Sequence, residues 1–314
     1  MKITLISLDV LGINNEIYNS LKQLGHDAHH INFYEFRYRY PTVLHRVFNF
    51  LGKIFFNYNI KKQHLNKEIL LRLEKLGKQD KILMLNANFL LPHIIKNIKP
   101  YANEMVAFFN DGSARIPKIL DVAPLFDRVY TFEPNDAKTH NFKFATNYIF
   151  KESEKTNKPH KFEVFNISTF SNRTQLIDNI ALELDRLNIS YNIISFGKKR
   201  IKSTSKVNYV SKRINMEDVN ALVAECNVLL DIHRKGQDGL SFRVFESLGN
   251  KKKLITTNAD IRHYDFYNPE NILILDKDNI NIPVSFFEKH YTDIPEHIYK
   301  KYVVGNWVKT ILNI

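Results

Sequence analysis

Residues 231–258 read DIHRKGQDGLSFRVFESLGNKKKLITTN and carry the pattern strand, tight turn, helix, strand. The run Val228–Ile232 leading into it is apolar except for Asp231, as expected of a strand buried in a parallel sheet. Gly236 and Gly239 bracket a polar turn, where the lack of a Cβ lets backbone amides approach a ligand. The spacing predicts a helix from about Leu240 to Leu248, with Leu240, Val244, Phe245 and Leu248 on its apolar side. Gly249 is the expected stop, and Leu254–Thr257 begins the next strand.

A turn of this kind presents backbone N–H groups and the positive end of a helix dipole, a favourable place for phosphate oxygens. Arg243 and Glu246 are three apart and project from one helix face. A guanidinium suits a diphosphate through paired hydrogen bonds, and a carboxylate suits the vicinal hydroxyls of a ribose because it only accepts. An ordinary surface ion pair is the competing account of these two side chains; the glycine-rich turn before them favours a ligand.

With those residues in view, the stretch resembles the donor-sugar site of GT-B glycosyltransferases, particularly the bacterial lipopolysaccharide and capsular polysaccharide enzymes. Asp238 and Glu246 are eight apart, similar to the acidic-x7-acidic pattern of the retaining members. The resemblance implies that Asp238, an Asp where the family usually has Glu, contacts the transferred sugar, and that Glu246 binds the nucleotide ribose. It continues through IRHYDFYNPENILIL (261–275) and more loosely over the whole chain. It implies an α/β fold of two Rossmann-like doubly wound domains facing a cleft, with C-terminal helices crossing back to the first. The expected division is an acceptor-side domain at 1–155, a donor domain at 156–290 and returning helices at 291–314.

At 314 residues the chain has room for two cores. No apolar run approaches the roughly 18 residues needed to span a bilayer, and MKITLISLDVLG reads as a strand rather than a signal peptide. A cytoplasmic protein is expected. The single cysteine, Cys226, rules out an internal disulfide and reads as a small buried thiol. The net charge of +12 is spread over short clusters such as Lys61–Lys62, Lys198–Arg200 and Lys251–Lys253. No zinc-finger, RRM or KH signature accompanies them, so anionic small molecules or lipid are better partners than nucleic acid.

The N-terminus opens as β-α-β, with KITLISL followed by a loop, a short helix over Glu16–Leu24 and a strand over His26–Phe33. The loop has one glycine, Gly12, so no dinucleotide fingerprint is present and nothing implies NAD or FAD. Asp9 and Gly12 are candidate cleft residues or a simple turn. Residues 31–64 mix aromatics with Arg37, Arg39, Arg46, Lys53, Lys61 and Lys62. From Pro41 onward they predict an amphipathic helix with Val43, Val47, Phe50, Leu51 and Phe55 on one side. Two destinations compete: an anionic membrane interface, where each cation contributes about 1 kcal/mol, or the core of the N-terminal domain.

The strand Glu104–Phe109 ends at Asn110-Asp111-Gly112-Ser113, and ligands gather at the carboxyl ends of such strands. Asp111 is the favoured N-domain carboxylate, with capping of a helix near Arg115 as its alternative. Glu133 and Asp136 read as turn formers, and KESEKTNKPH (151–160) as the interdomain linker. In the second half, Ser171 and Asn172 are natural N-caps, and Arg173 stands where a phosphate at that helix end would want a cation. His233 and Arg234 follow a buried strand and face the expected cleft.

These residues suit a nucleotide-diphosphate sugar donor, and the resemblance implies transfer of that sugar to a hydroxyl of a growing surface glycan or glycolipid. Gly239, Leu240 and Ser241, through their amides, hold the phosphates with Arg243, Ser171 and Arg173; Glu246 holds the ribose. Asp238, His233 and Asp111 are the catalytic candidates. Neither metal nor cofactor is expected beyond the nucleotide-sugar itself. The acidic pair implies retention of configuration; proton abstraction by Asp111 would give inversion instead. A sugar-nucleotide epimerase or hydrolase on the same fold, and a basic polyanion-binding protein, are the competing functions. The expected acceptor, a glycan or lipid-linked sugar, places the protein at the inner face of the cell membrane, with 31–64 as the contact.

Overall fold

The first half of the chain supplies the strands β1 (Lys2–Ser7), β2 (Asp27–Asn32), β3 (Gln79–Leu85), β4 (Ala102–Phe109), β5 (Arg128–Thr131) and β6 (Lys143–Phe144). In the computed structural model, which describes residues 1–56, 58–152 and 160–314, they pair in the order β2-β1-β3-β4-β5-β6, all parallel. The order reverses between β1 and β3, which makes the carboxyl ends of those two strands the topological switch point. Strand residues are buried on both sides, Ile82 and Met84 alternating with Leu83 and Leu85, as a sheet covered by helices requires.

The second half supplies β7 (Phe162–Thr169), β8 (Tyr191–Phe196), β9 (Asn208–Val210), β10 (Cys226–Asp231), β11 (Lys253–Thr256) and β12 (Ile272–Ile274). Their order is β12-β11-β10-β7-β8-β9, again all parallel, with the reversal between β7 and β10. Leu229 packs with Val244 and Phe245 on one side of this sheet. Its neighbours Val228 and Leu230 pack with Ile177, Ile180 and Leu184 on the other. Each such side chain contributes about 1.5–3 kcal/mol on burial, so the strand carrying the site is fixed from both faces.

One unit comprises Met1–Ala145 with Val308–Ile314, and the other Thr146–Trp307. Seven residues of the expected linker, 153–159, lie outside the described residues. The C-terminal pattern forms two helices, Glu296–Tyr302 and Val304–Leu312. Ile149 holds the joint between them: its N–H donates to Tyr302 O at 2.7 Å and its carbonyl accepts from Val304 at 3.1 Å. In the first unit, Leu312 O accepts from Arg128 Nη2 at 3.0 Å, and Val308, Ile311 and Leu312 are fully buried.

One local expectation is corrected, and one open alternative is narrowed. The helix after the glycine-rich turn runs from Phe242 to Gly249, and Gly249 does not stop it. The left-handed residue after the helix is Lys251, at φ 50°, with Lys252 N–H donating to Ser247 O at 2.9 Å in a Schellman-type closure. Gly249 is needed for space instead, because a Cβ there would lie 2.2 Å from Lys151 O. The alternative concerns the aromatic segment, for which a membrane interface and the core compete. Its helix forms over Val43–Phe55, but Phe48, Phe50 and Phe55 stay 61–69% exposed and do not join the core.

Candidate functional site

In the second unit, β7 and β10 end side by side, and the segments leaving them carry the expected donor-side residues. Asp231, the last residue of β10, is buried and accepts from Ser241 Oγ at 2.8 Å and from Thr256 Oγ1 at 2.9 Å. Ser241 is also the N-cap of the Phe242–Gly249 helix, its Oγ accepting from Arg243 N–H at 3.1 Å. A relay of hydrogen bonds thus runs from the first helical turn through Ser241 to the strand end. It sets where the helix starts. In the sequence Asp231 stands out only as an interruption in an apolar run. The signal was nonetheless there, since a carboxylate in a strand buried on both faces must have donors beside it.

Arg243 and Glu246 form an ion pair through Nη1 and Oε2, with side chains only 15% and 7% exposed. The pair is therefore buried rather than the surface pair of the competing account. Burial pushes the Glu246 carboxyl up from its ordinary range, and Arg243 and Lys151 draw it part of the way back. The guanidinium carbon lies 5.8 Å from the centroid of the Phe165 ring. A short, largely apolar helix thus holds a mostly buried cation and a buried anion, against Phe165 of β7 and within electrostatic reach of Cys226 at the start of β10. Both groups suit a diphosphate-ribose ligand, the first as a bidentate donor and the second as an acceptor.

Ser171 does not cap the next helix, which begins at Thr174. Its Oγ accepts instead from Arg173 N–H at 3.3 Å and Arg173 Nε at 3.4 Å, and so orients that side chain. Arg173 Nη1 donates to Ile232 O at 2.6 Å, which places a cation directly at the carboxyl end of β10. His233 follows, its backbone N–H donating to Thr257 Oγ1 at 2.8 Å. Burial lowers the pKa of this half-buried imidazole, with Lys277 acting the same way and Asp231, Asp238 and Asp260 opposing.

The turn between them is held largely by side chains that donate to its carbonyls. Gly236 takes the left-handed conformation at φ 76°. Asp238 is half-buried, and its carbonyl accepts from Asn258 Nδ2 at 3.4 Å. Gly239 O accepts from Gln237 Nε2 at 3.5 Å. The Leu240 side chain belongs to the core with Phe245 and Leu248, and its carbonyl accepts from Asn147 Nδ2 at 2.9 Å.

In the first unit Asp111 pairs with Arg115 at 2.8 Å. It caps no helix there, because the next helix starts at Lys118 behind Pro117. The turn before it is fixed by Asp136, which is buried and accepts from Ser113 N–H at 2.7 Å and Ser113 Oγ at 2.6 Å. Glu133 lies against Gly112, where a Cβ would come within 2.9 Å of its Cγ. At the switch point of this sheet Asp9 is buried and accepts from Asn15 N–H at 3.0 Å, locking the loop that follows β1. Beyond it Ser7 Oγ lies 2.9 Å from His30 Nε2. Cys226 is buried, donates to Val223 O and has its pKa pushed up to about 12 by desolvation, so it is an inert thiol.

No protein-family model matches this sequence, nor does any curated protein. Solved structures do match over nearly the whole chain. An α,α-trehalose 6-phosphate synthase from Burkholderia multivorans is similar with a TM-score of 0.55 at 8% identity, covering 99% of this chain and 95% of its own. The UDP-GlcNAc 2-epimerase of Methanocaldococcus jannaschii is similar with a TM-score of 0.52 at 12% identity, covering 100% and 99%. The S. aureus MnaA structure with UDP is similar with a TM-score of 0.51 at 12% identity, covering 100% and 95%. Together with the two six-stranded parallel sheets, these likenesses show the GT-B fold, built from two Rossmann-like domains.

Proposed function

We propose that this protein is a glycosyltransferase that moves a sugar from a nucleotide-diphosphate donor to a hydroxyl of a surface glycan or glycolipid. The observation that carries the reading is the buried Arg243–Glu246 pair on the helix that Ser241 and Asp231 anchor at the switch point, with Arg173 at the same strand end. Arg243 and Arg173, with the amides of Gly239, Leu240 and Ser241, stabilise the negative charge that develops on the departing diphosphate. Glu246 accepts from the ribose hydroxyls, and Asp238 and His233 face the transferred sugar. Transfer proceeds without a metal ion and with retention of configuration. Asp111 is the acceptor-side carboxylate, and would act as base only if configuration inverts. The enzyme works from the cytoplasmic side as a peripheral membrane protein.

A thermal-shift screen against UDP-, GDP-, CMP- and dTDP-linked sugars tests the reading, since a ligand bound only by the folded state raises its melting point. One class of nucleotide-sugar should raise it; no shift with any would overturn the proposal. A UDP-GlcNAc 2-epimerase is among the similar folds, so donor incubated alone is the necessary control. Consumption of donor without acceptor would favour an epimerase or hydrolase.

A further inference from the structure

The helix Val43–Phe55 has the reverse polarity of a helix that packs on a core. At 100° per residue its apolar side carries Val43, Leu44, Val47, Phe48, Ile54 and Phe55, and its polar side Arg46, Asn49 and Lys53. In a core-packed helix the apolar side turns inward. Here the one buried residue of the helix is Asn49, 3% exposed, from the middle of the polar side. Its Nδ2 donates to Tyr40 Oη at 2.6 Å and its Oδ1 accepts from Ile60 N–H at 2.9 Å, which seats the helix by its polar side. Gly52, three residues on, meets the protein as well: a Cβ there would lie 3.3 Å from Tyr58 O. Leu44, Phe48 and Phe55 are 65–69% exposed, and Phe56 just beyond is 80% exposed.

Charge identifies what covers this face. Residues 36–67 contain Arg37, Arg39, Arg46, Lys53, Lys61, Lys62 and Lys67 and no carboxylate. Lys53 and Lys118 lie near enough to Lys62 to add to the lowering of its pKa that burial begins, a sign of concentrated positive potential. A second copy would set the same cations against one another. A surface with an apolar interior under anionic groups complements both features. No described helix is long and apolar enough to cross a membrane, so the contact is with one leaflet.

We infer that the Val43–Phe55 helix is a membrane-docking element that lies in the plane of an anionic lipid surface, apolar side among the acyl chains and cations at the headgroups. The inference does not depend on the sugar-transfer reading. It is tested by sedimenting the full chain with vesicles of phosphatidylcholine alone or with phosphatidylglycerol added. Binding is expected only to the anionic vesicles, weakened by salt. Phe48→Asp with Phe55→Asp, and separately Arg46→Glu with Lys53→Glu, should each weaken it by about tenfold or more while leaving the melting point unchanged. Phe48→Trp should show a blue-shifted emission on the same vesicles, against the single buried Trp307. Equal binding to both vesicles, binding to neither, or a dimer that the Phe48→Asp, Phe55→Asp variant dissolves would overturn it. Nucleotide-sugar binding by these variants should stay intact, which separates the failure of docking from failure of the donor site.

Discussion

Ser241 Oγ donates to Asp231 at 2.8 Å, so the first turn of one helix is tied to the last residue of the strand before it. Replacing Asp231 by Ala leaves Ser241 and Thr256 without their buried acceptor. Unfolding by urea should show a loss of about 2–4 kcal/mol. Ser241→Ala, which removes a helix cap and one bond, should cost about 1–2 kcal/mol. Equal and negligible losses would mean that water replaces the carboxylate.

The burial of the Arg243–Glu246 pair sets a particular result for its variants. Arg243→Ala or Glu246→Ala alone strands a charge among apolar neighbours and should cost about 3–5 kcal/mol. Arg243→Met with Glu246→Leu removes both charges and should recover most of that stability without recovering nucleotide-sugar binding. Calorimetry with the donor found by screening, beside a melting curve, separates the two effects. Donor binding by the double variant would remove the pair from the site.

Gly249→Ala places a methyl carbon 2.2 Å from the Lys151 carbonyl oxygen, where the obstacle is main chain and cannot rotate away. Overpacking of this kind costs about 1–3 kcal/mol. A fall in melting temperature is expected, although Ala is the better helix former. An unchanged or raised melting temperature would contradict the close crossing.

Acidification should destabilise the protein through its histidines. Burial lowers the pKa of both His233 and His30, so near pH 6 the unfolded chain binds more protons than the folded one. Stability then rises with pH as these groups lose their protons, and falls on going from about pH 7 to about pH 5. His233→Asn should flatten this dependence in melting curves taken across the range. A variant with the wild-type slope would show that His233 contributes none of it.

Chelation addresses the proposed metal independence directly. Transfer activity measured with and without EDTA should agree within error. Loss of activity that added Mg²⁺ or Mn²⁺ restores would assign the leaving-group charge to a metal rather than to Arg243 and Arg173.

Periodicity made the two sheets and their helices legible, because strands buried on both faces leave apolar runs such as Val228–Leu230 and turns leave glycine. The expected helix over Leu240–Leu248 differs from the observed Phe242–Gly249 because Ser241 spends its hydroxyl as a cap and Leu240 its side chain in the core. Gly249 looked like a stop because glycine commonly ends helices; the need for space beside Lys151 comes from a segment about a hundred residues earlier, beyond any local pattern. The roles of Asp231 and Ser171 were hidden for the same reason. Their partners, Thr256 on another strand and Arg173 turned towards Ile232, are set by tertiary packing. Amphipathic periodicity found the Val43–Phe55 helix, but it does not say which side faces in. Asn49 decides that through Tyr40 and Ile60.

The carbonyl of Leu312 receives the Arg128 guanidinium, so residues 308–314 complete a unit whose other members end at Ala145. The ribosome delivers residues 308–314 only after the whole intervening unit has been made. Until then the nascent early half must hold open an unfilled apolar seat for Val308, Ile311 and Leu312. Removing residues 308–314 would therefore damage the unit whose other members are translated first.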